Sequence, residues 1–389
     1  NFAFLQRTDL DDKNTAMGTS KSSTIESSMS LHHRHSQKNP YARRKNATKI
    51  FVVLLVTFIA VRHLFSGPST FAGNVADNIL RPIFGEKKTL QIEAVYFSIT
   101  EGYKKVKYNF IKPTSDFVTD QTSPLQKELN SGNMNLLAIP KTNSFQALPG
   151  EGIWQVMPVS LFPNEVVMAK TFIRPDSTKD YATVALVQLN MKKLMVNIEA
   201  GIKHPGGTIG NPGPGFVPKA VQDSNTLLAV FNGGFQEKDG HYGMIVGSKT
   251  YVPLRLGLAT LLSIRQNGPM LVEDGKVTQF IESGSDTWGA TTTNSLVTWR
   301  SGLGITKEGN LIFAAGESLV PATLAKALLD AGAVNAMQLD INSTWVRFIL
   351  FTPKGNGTYT YEPLLKNMVN GGNDYLHGYG KDFFYVYKK

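Results

Sequence analysis

The chain contains no cysteine in 389 residues. Disulfide staples, thiolate zinc sites and a cysteine nucleophile are therefore excluded. The absence leaves the compartment open, because exported bacterial proteins often lack cysteine and a large core needs no staples. Charge is also sparse: 18% of residues are charged against 42% hydrophobic, ordinary globular composition with enough apolar mass for a core. The one glycine-rich loop, residues 204–218, lacks the Lys-Ser/Thr of a phosphate cradle and is interrupted by prolines. It reads instead as a mobile rim of an active site. Histidine is scarce beyond residue 66, with only His204, His241 and His377, at no paired spacing, and there is no Asp-x-Asp calcium loop. No metal site and no cofactor are expected.

The net charge of +10 would suggest nucleic acid if it were spread over the chain. It is not. Residues 1–66 hold ten Lys/Arg and four acids, so +6 of the +10 belongs to that stretch, and no nucleic-acid partner is expected. Residues 1–48, rich in Ser, Asn, Lys and His, read as a disordered basic cytoplasmic tail, and the trio His32, His33 and His35 as part of that polar tail rather than a metal site.

One long apolar run stands out, residues 50–61 (IFVVLLVTFIAV), preceded by Arg43, Arg44, Lys45 and Lys49. Twelve residues rise about 18 Å as a helix, short of a roughly 30 Å hydrocarbon core. Residues 49–65 therefore read as a short transmembrane signal-anchor or a signal-peptide segment. The positive flank puts the tail in the cytoplasm and the bulk outside, at the cell membrane with a single pass, or secreted if the segment is cleaved. Residues 66–92 look like a linker and 93–389 like the exported domain.

From about residue 90 the chain turns strand-like. Residues 182–189 and 194–200 form the clearest hairpin pattern. Residues 227–231 read as a buried strand running into Asn232-Gly233-Gly234-Phe235, where two glycines permit close approach to the main chain. Residues 303–306 and 311–315 form another hairpin. Residues 321–331 are the best helix, opened by Pro321 and closed by Gly332. The strand 334–339 then delivers Asp340. The predicted class is α+β, with a mixed, largely antiparallel sheet and a few packed helices, preceded by the N-terminal hydrophobic segment.

These motifs occur in a definite order: Pro149-Gly150-Glu151-Gly152-Ile153-Trp154, Asn232-Gly233-Gly234-Phe235, Arg300-Ser301-Gly302-Leu303-Gly304-Ile305, Leu339-Asp340-Ile341-Asn342 and Asp382-Phe383-Phe384. In that order the chain resembles the phosphodiester glycosidase family, in particular its bacterial exported branch, over residues 149–389. The resemblance implies an exported hydrolase that removes a sugar linked through its anomeric carbon to a phosphodiester, of N-acetylglucosamine type, in envelope or extracellular glycans. It maps the family's Asn-Gly-Gly-Phe loop onto residues 232–235, its arginine onto Arg300 and its strand-end aspartate onto Asp340. The family's animal form follows that aspartate with glycines, whereas Ile341-Asn342-Ser343-Thr344 stand here.

Such a reaction passes through an oxocarbenium-like state and needs a carboxylate beside the anomeric carbon, with cations or amides on the phosphate. Asp340 is the candidate carboxylate, with turn capping as its bland alternative. Arg300 offers a forked donor suited to phosphate, or a surface ion pair. Glu317, just before the helix, is the candidate second acid, with Glu237, Asp239 and Asp274 also open. Asn232, Gly233, Gly234, Phe235 and Asn342 are candidates for substrate binding, or plain turns. His241 is a candidate proton shuttle or a surface residue, and Trp345 a candidate sugar platform. Asp382 reads as an anchor of the last strand. The alternative to hydrolysis is a non-catalytic polysaccharide-binding or assembly protein of the cell envelope.

Overall fold

The computed structural model describes residues 79–110, 134, 136–261, 265–289, 296–342 and 344–389. The basic tail and the hydrophobic segment at 49–65 lie outside these. Among the described residues no helix is long and apolar enough to cross a membrane.

Helix α1, Arg81–Phe110, comes first, bent at Gly85, where φ is 75°. This overturns the strand-like reading from residue 90. Val, Ile, Phe and Tyr favour strands, but such preferences depend on context, and here the residues from 81 to 110 form a single bent helix.

Seventeen strands follow among the described residues, in three sheets whose paired strands are all antiparallel. The α+β expectation therefore holds. The first sheet has eight strands: β1 (Gln155–Val156), β2 (Met168–Ile173), β3 (Val184–Leu189), β13 (Leu311–Leu319), β12 (Thr298–Thr306), β14 (Ala333–Ile341), β10 (Met270–Glu273) and β11 (Lys276–Val277), in that spatial order. The second runs β16 (Thr358–Pro363), β15 (Phe348–Gly355), β5 (Leu227–Asn232), β17 (Phe383–Lys388), β4 (Leu194–Glu199). A small third sheet holds β7 (Lys249–Val252), β6 (Met244–Val246), β9 (Arg265–Gln266) and β8 (Thr260–Leu261).

The two large sheets pack face to face. Side chains alternate along each strand, so a strand buried on both faces serves two cores. On β13, Leu311, Phe313 and Ala315 face the second sheet, while Ile312 and Ala314 face the opposite way. On β17, Phe384 and Val386 face the first sheet, and Phe383 and Tyr385 join Tyr375 and Tyr379 on the outer side. Helix α2, Pro321–Asp330, covers the outer face of the first sheet with Leu324, Ala325 and Leu328. Its Pro321 sits in the first turn, as expected.

The hairpin expected between residues 182–189 and 194–200 does not form. Both strands exist, but β3 pairs with β2 and β13, whereas β4 pairs with β17 in the other sheet. The intervening turn carries the chain across the sandwich, and Val187, Leu189, Leu194 and Ile198 then fill the shared core from opposite sides. The hairpin at 303–315 does form, with Ile305 opposite Leu311.

Candidate functional site

Asp340 lies one residue before the end of β14 and is 5% exposed. Its Oδ1 accepts the Ile341 amide at 2.9 Å, and its Oδ2 pairs with Lys381. Burial pushes the carboxyl up to about 6, against the opposing pull of Lys381. Lys381 is itself buried and lies over the half-buried Trp345 ring, 4.5 Å from its centroid. The structure thus brings together two residues named from the sequence, Asp340 and Trp345, through a lysine that was not.

The Asn232–Phe235 loop is the frame of this centre. Asn232 donates through Nδ2 to Ser301 Oγ at 2.9 Å and accepts the Arg347 amide at 3.1 Å. Ser301 Oγ donates to the Asp340 carbonyl at 2.7 Å, and the Asp340 amide donates to the Gly233 carbonyl at 2.9 Å. The loop amides are directed inward. Gly233 N donates to the Asp382 carbonyl, Gly234 N to Asp382 Oδ2, and Phe235 N to Asn267 Oδ1, each at 2.9–3.0 Å. Glycine is required here by proximity. A Cβ on Gly233 would lie 2.0 Å from Asp382 Oδ2, and one on Gly234 would lie 2.9 Å from the Arg265 guanidinium. What approaches the main chain closely is protein. Asp382 is 1% exposed, and Arg265 Nε donates to it at 2.8 Å. It anchors the loop as well as the last strand. It also lies close enough to Asp340 for its charge to raise that carboxyl.

Arg300 has each of its guanidinium nitrogens engaged by protein acceptors. It is fully buried, and its guanidinium donates to the carbonyls of Trp288 (2.9 Å), Leu296 (2.7 Å) and Leu319 (3.2 Å) and to Gln338 Oε1 (2.6 Å). Burial lowers its pKa to about 9. The arginine braces the loop ends beneath the sheet, and a surface ion pair is equally excluded. Glu317 pairs with Lys104 of α1 at 2.9 Å. His241 is largely exposed and pairs with Glu237 of its own turn. Phe235 packs with Tyr242 and Ile341 in a small cluster beside the loop. Asn342 has φ of 90°, and its Oδ1 accepts the Thr344 amide at 3.1 Å. Asparagine tolerates this left-handed geometry, so the turn after Asp340 takes a shape suited to glycine without one.

His204, passed over in the sequence, stands next to Lys381. Its amide donates to the Gly380 carbonyl at 2.9 Å. Burial, assisted by Lys381, lowers the imidazole to about 4, so it is neutral at pH 7. Its Nδ1 and Asp382 Oδ1 are buried without a hydrogen-bond partner. The only sequence signal for Lys381 was its place immediately before the Asp382-Phe383-Phe384 motif. The loop 204–218 is tied to the same segment: Gly215 N donates to the Ala200 carbonyl at 2.9 Å and Tyr379 N to the Gly215 carbonyl at 2.6 Å. A separate, mainly apolar cleft of about 520 Å³ lies between β2 and β15 and includes Lys170 and Glu362. It contains none of the residues named from the sequence.

Comparisons with known proteins bear on residues 255–358, which match the family model described as phosphodiester glycosidase. No curated protein matches the chain. Among solved structures, the zebrafish N-acetylglucosamine-1-phosphodiester alpha-N-acetylglucosaminidase catalytic domain, auto-inhibited by its pro-peptide, aligns at 15% identity with a TM-score of 0.35. That alignment covers 66% of this chain and 98% of that one. A hypothetical protein from Synechocystis aligns at 11% identity and a TM-score of 0.30, over 57% and 62% of the two chains. A putative exported protein from Burkholderia pseudomallei aligns at 10% identity and 0.26, over 53% and 74%. Over residues 255–358, a stretch that contains Arg265, Arg300, Ser301 and Asp340, this chain is similar to the phosphodiester glycosidase family, the family its ordered motifs resemble.

Proposed function

We propose that the chain is an exported hydrolase cleaving a sugar-1-phosphodiester of N-acetylglucosamine type, with Asp340 as its central carboxylate. The observation that carries this reading is a buried Asp340, inside the stretch that matches the phosphodiester glycosidase family, paired with Lys381 of the segment before the last strand, whose ammonium lies over the Trp345 ring. The ionised carboxylate would stabilise positive charge at the anomeric carbon or activate water against it. Lys381 would release the carboxylate and follow the departing phosphate, whose developing charge a cation stabilises. Trp345 offers a face for the sugar ring, and neutral His204 a hydrogen-bonding nitrogen beside Lys381. The export address rests on the apolar run at 50–61 and its basic flank.

A second reading, a glycan-binding or assembly protein without turnover, draws support from one observation. Arg300, the expected phosphate ligand, has its guanidinium occupied by backbone carbonyls and Gln338. Hydrolysis of N-acetylglucosamine-1-phosphate diesters, scored as free sugar, separates the two. Release that disappears in Asp340→Asn supports the hydrolase. Saturable glycan binding without release supports the binding protein.

A further inference from the structure

Among the described side chains, those of helix α1 that bond or stack against the domain lie on one face. Lys104 pairs with Glu317 at 2.9 Å and donates to Ser318 Oγ at 3.1 Å, and Tyr108 stacks on Tyr181 at 5.3 Å between centroids. On the other side Ile92, Val95, Ile99, Tyr103 and Val106 are 44%, 60%, 53%, 48% and 57% exposed. At 3.6 residues per turn these five fall within an arc of about 80°, a continuous seam roughly 21 Å long. A stripe of that width, spaced three and four residues apart, is the pattern of a helix that packs on another helix rather than on water.

The spacing also identifies the occupant. From Ile92 to Val106 the steps are three, four, four, three, a sequence that reads the same in both directions about Ile99. A two-fold contact places the same patch on both partners, so residue i meets j while j meets i. Two copies of α1 laid antiparallel would set Ile92 against Val106, Val95 against Tyr103, and Ile99 against itself. The five side chains expose on the order of 500 Å² per copy, so the pair would bury about 1,000 Å², the lower bound for a specific interface. We propose that the chain forms a two-fold dimer through an antiparallel pairing of helix α1 centred on Ile99.

The absence of native cysteine makes the test direct. In the full chain, Ile99→Cys should cross-link to a covalent dimer under mild oxidation, well above an exposed control on the domain, Ile153→Cys, whose native side chain is 42% exposed. Ile92→Cys alone should not exceed that control, because its predicted partner is position 106. The double variant Ile92→Cys/Val106→Cys should cross-link again. Circular dichroism of each variant checks folding, and these exposed positions leave the core untouched. A second pair does not depend on sulfur geometry: Ile92→Lys should lower dimer mass by light scattering, and adding Val106→Glu should restore it. Ile99→Cys at the control level would overturn the proposal. So would Ile92→Cys linking as well as Ile99→Cys, the mark of a parallel pair. Binding of the helix to lipid vesicles without any cross-link would assign the seam to a membrane surface and equally defeat it.

Discussion

Asp340 is the residue on which the functional reading turns, and its protonation makes testable demands. With the carboxyl raised to about 6 by burial, a reaction that needs the anion should gain rate as pH rises through about 6. Lys381 holds that value down, so Lys381→Met should move the acid limb of kcat/KM to higher pH as well as lowering its plateau. A limb that stays in place would separate Lys381 from the titration. The same shift affects stability. The folded state holds the Asp340 proton more tightly than an unfolded aspartate near about 4, so this contribution is full below about 4 and lost as pH rises through about 6. Asp340→Asn should flatten that decline in Tm measured between the two values. Arg265 and Asp382 make the complementary prediction. Both are fully buried, so Arg265→Met leaves a buried carboxylate unpaired and should cost about 3–5 kcal/mol in urea unfolding. Replacing Asp382 with Leu in the same protein should recover part of it.

At the scale of elements, much was legible where a local pattern determined the outcome. Pro321 and the apolar spacing after it specified α2, and the turn between β12 and β13 specified their register. Failures came where the deciding contact was distant in sequence. Strands β3 and β4 look like a hairpin because a short polar turn joins two apolar runs, and only their partners, β13 and β17, place them in different sheets. The site divides along the same line. Asp340 was visible because a small apolar strand leads into it, and Lys381 was hidden because its partner is 41 residues away. Arg300 illustrates the limit of residue chemistry, since its fork suits backbone carbonyls as well as phosphate. One element also carries its own prediction. Burial pulls the Lys104 ammonium down, but Glu317 and Glu101 outweigh it and raise its pKa. Lys104→Met should therefore free α1, seen as faster amide exchange confined to that helix, with exchange around the proposed Asp340 centre unchanged.

For the molecule as a whole, the centre lies where the two large sheets meet. Phe231 of the second sheet stacks against Phe348 and Phe384 of its own layer and meets Phe313 of the first at a tilt, with centroids 5.1–5.8 Å apart. The next residue, Asn232, bonds Ser301 of the first sheet, and Ser301 in turn bonds the Asp340 carbonyl. The core that joins the sheets thus continues directly into the hydrogen bonds that position the carboxylate. Phe231→Ala should cost about 3–5 kcal/mol and still give one unfolding transition, because a shared core unfolds as a unit. Ser301→Ala tests the polar end of the same connection. Asn232 keeps its bond to the Gly233 carbonyl, so the stability cost should stay within about 1–3 kcal/mol, whereas Asp340 loses the bond at its carbonyl and is tethered across the seam only by its amide bond to the Gly233 carbonyl. Turnover should fall by an order of magnitude or more at unchanged KM, since a small displacement of the reacting group costs rate more than binding. A Ser301→Ala protein with full kcat would mean that the sheets hold Asp340 through the backbone ladder alone, and that the seam adds stability without positioning the carboxylate.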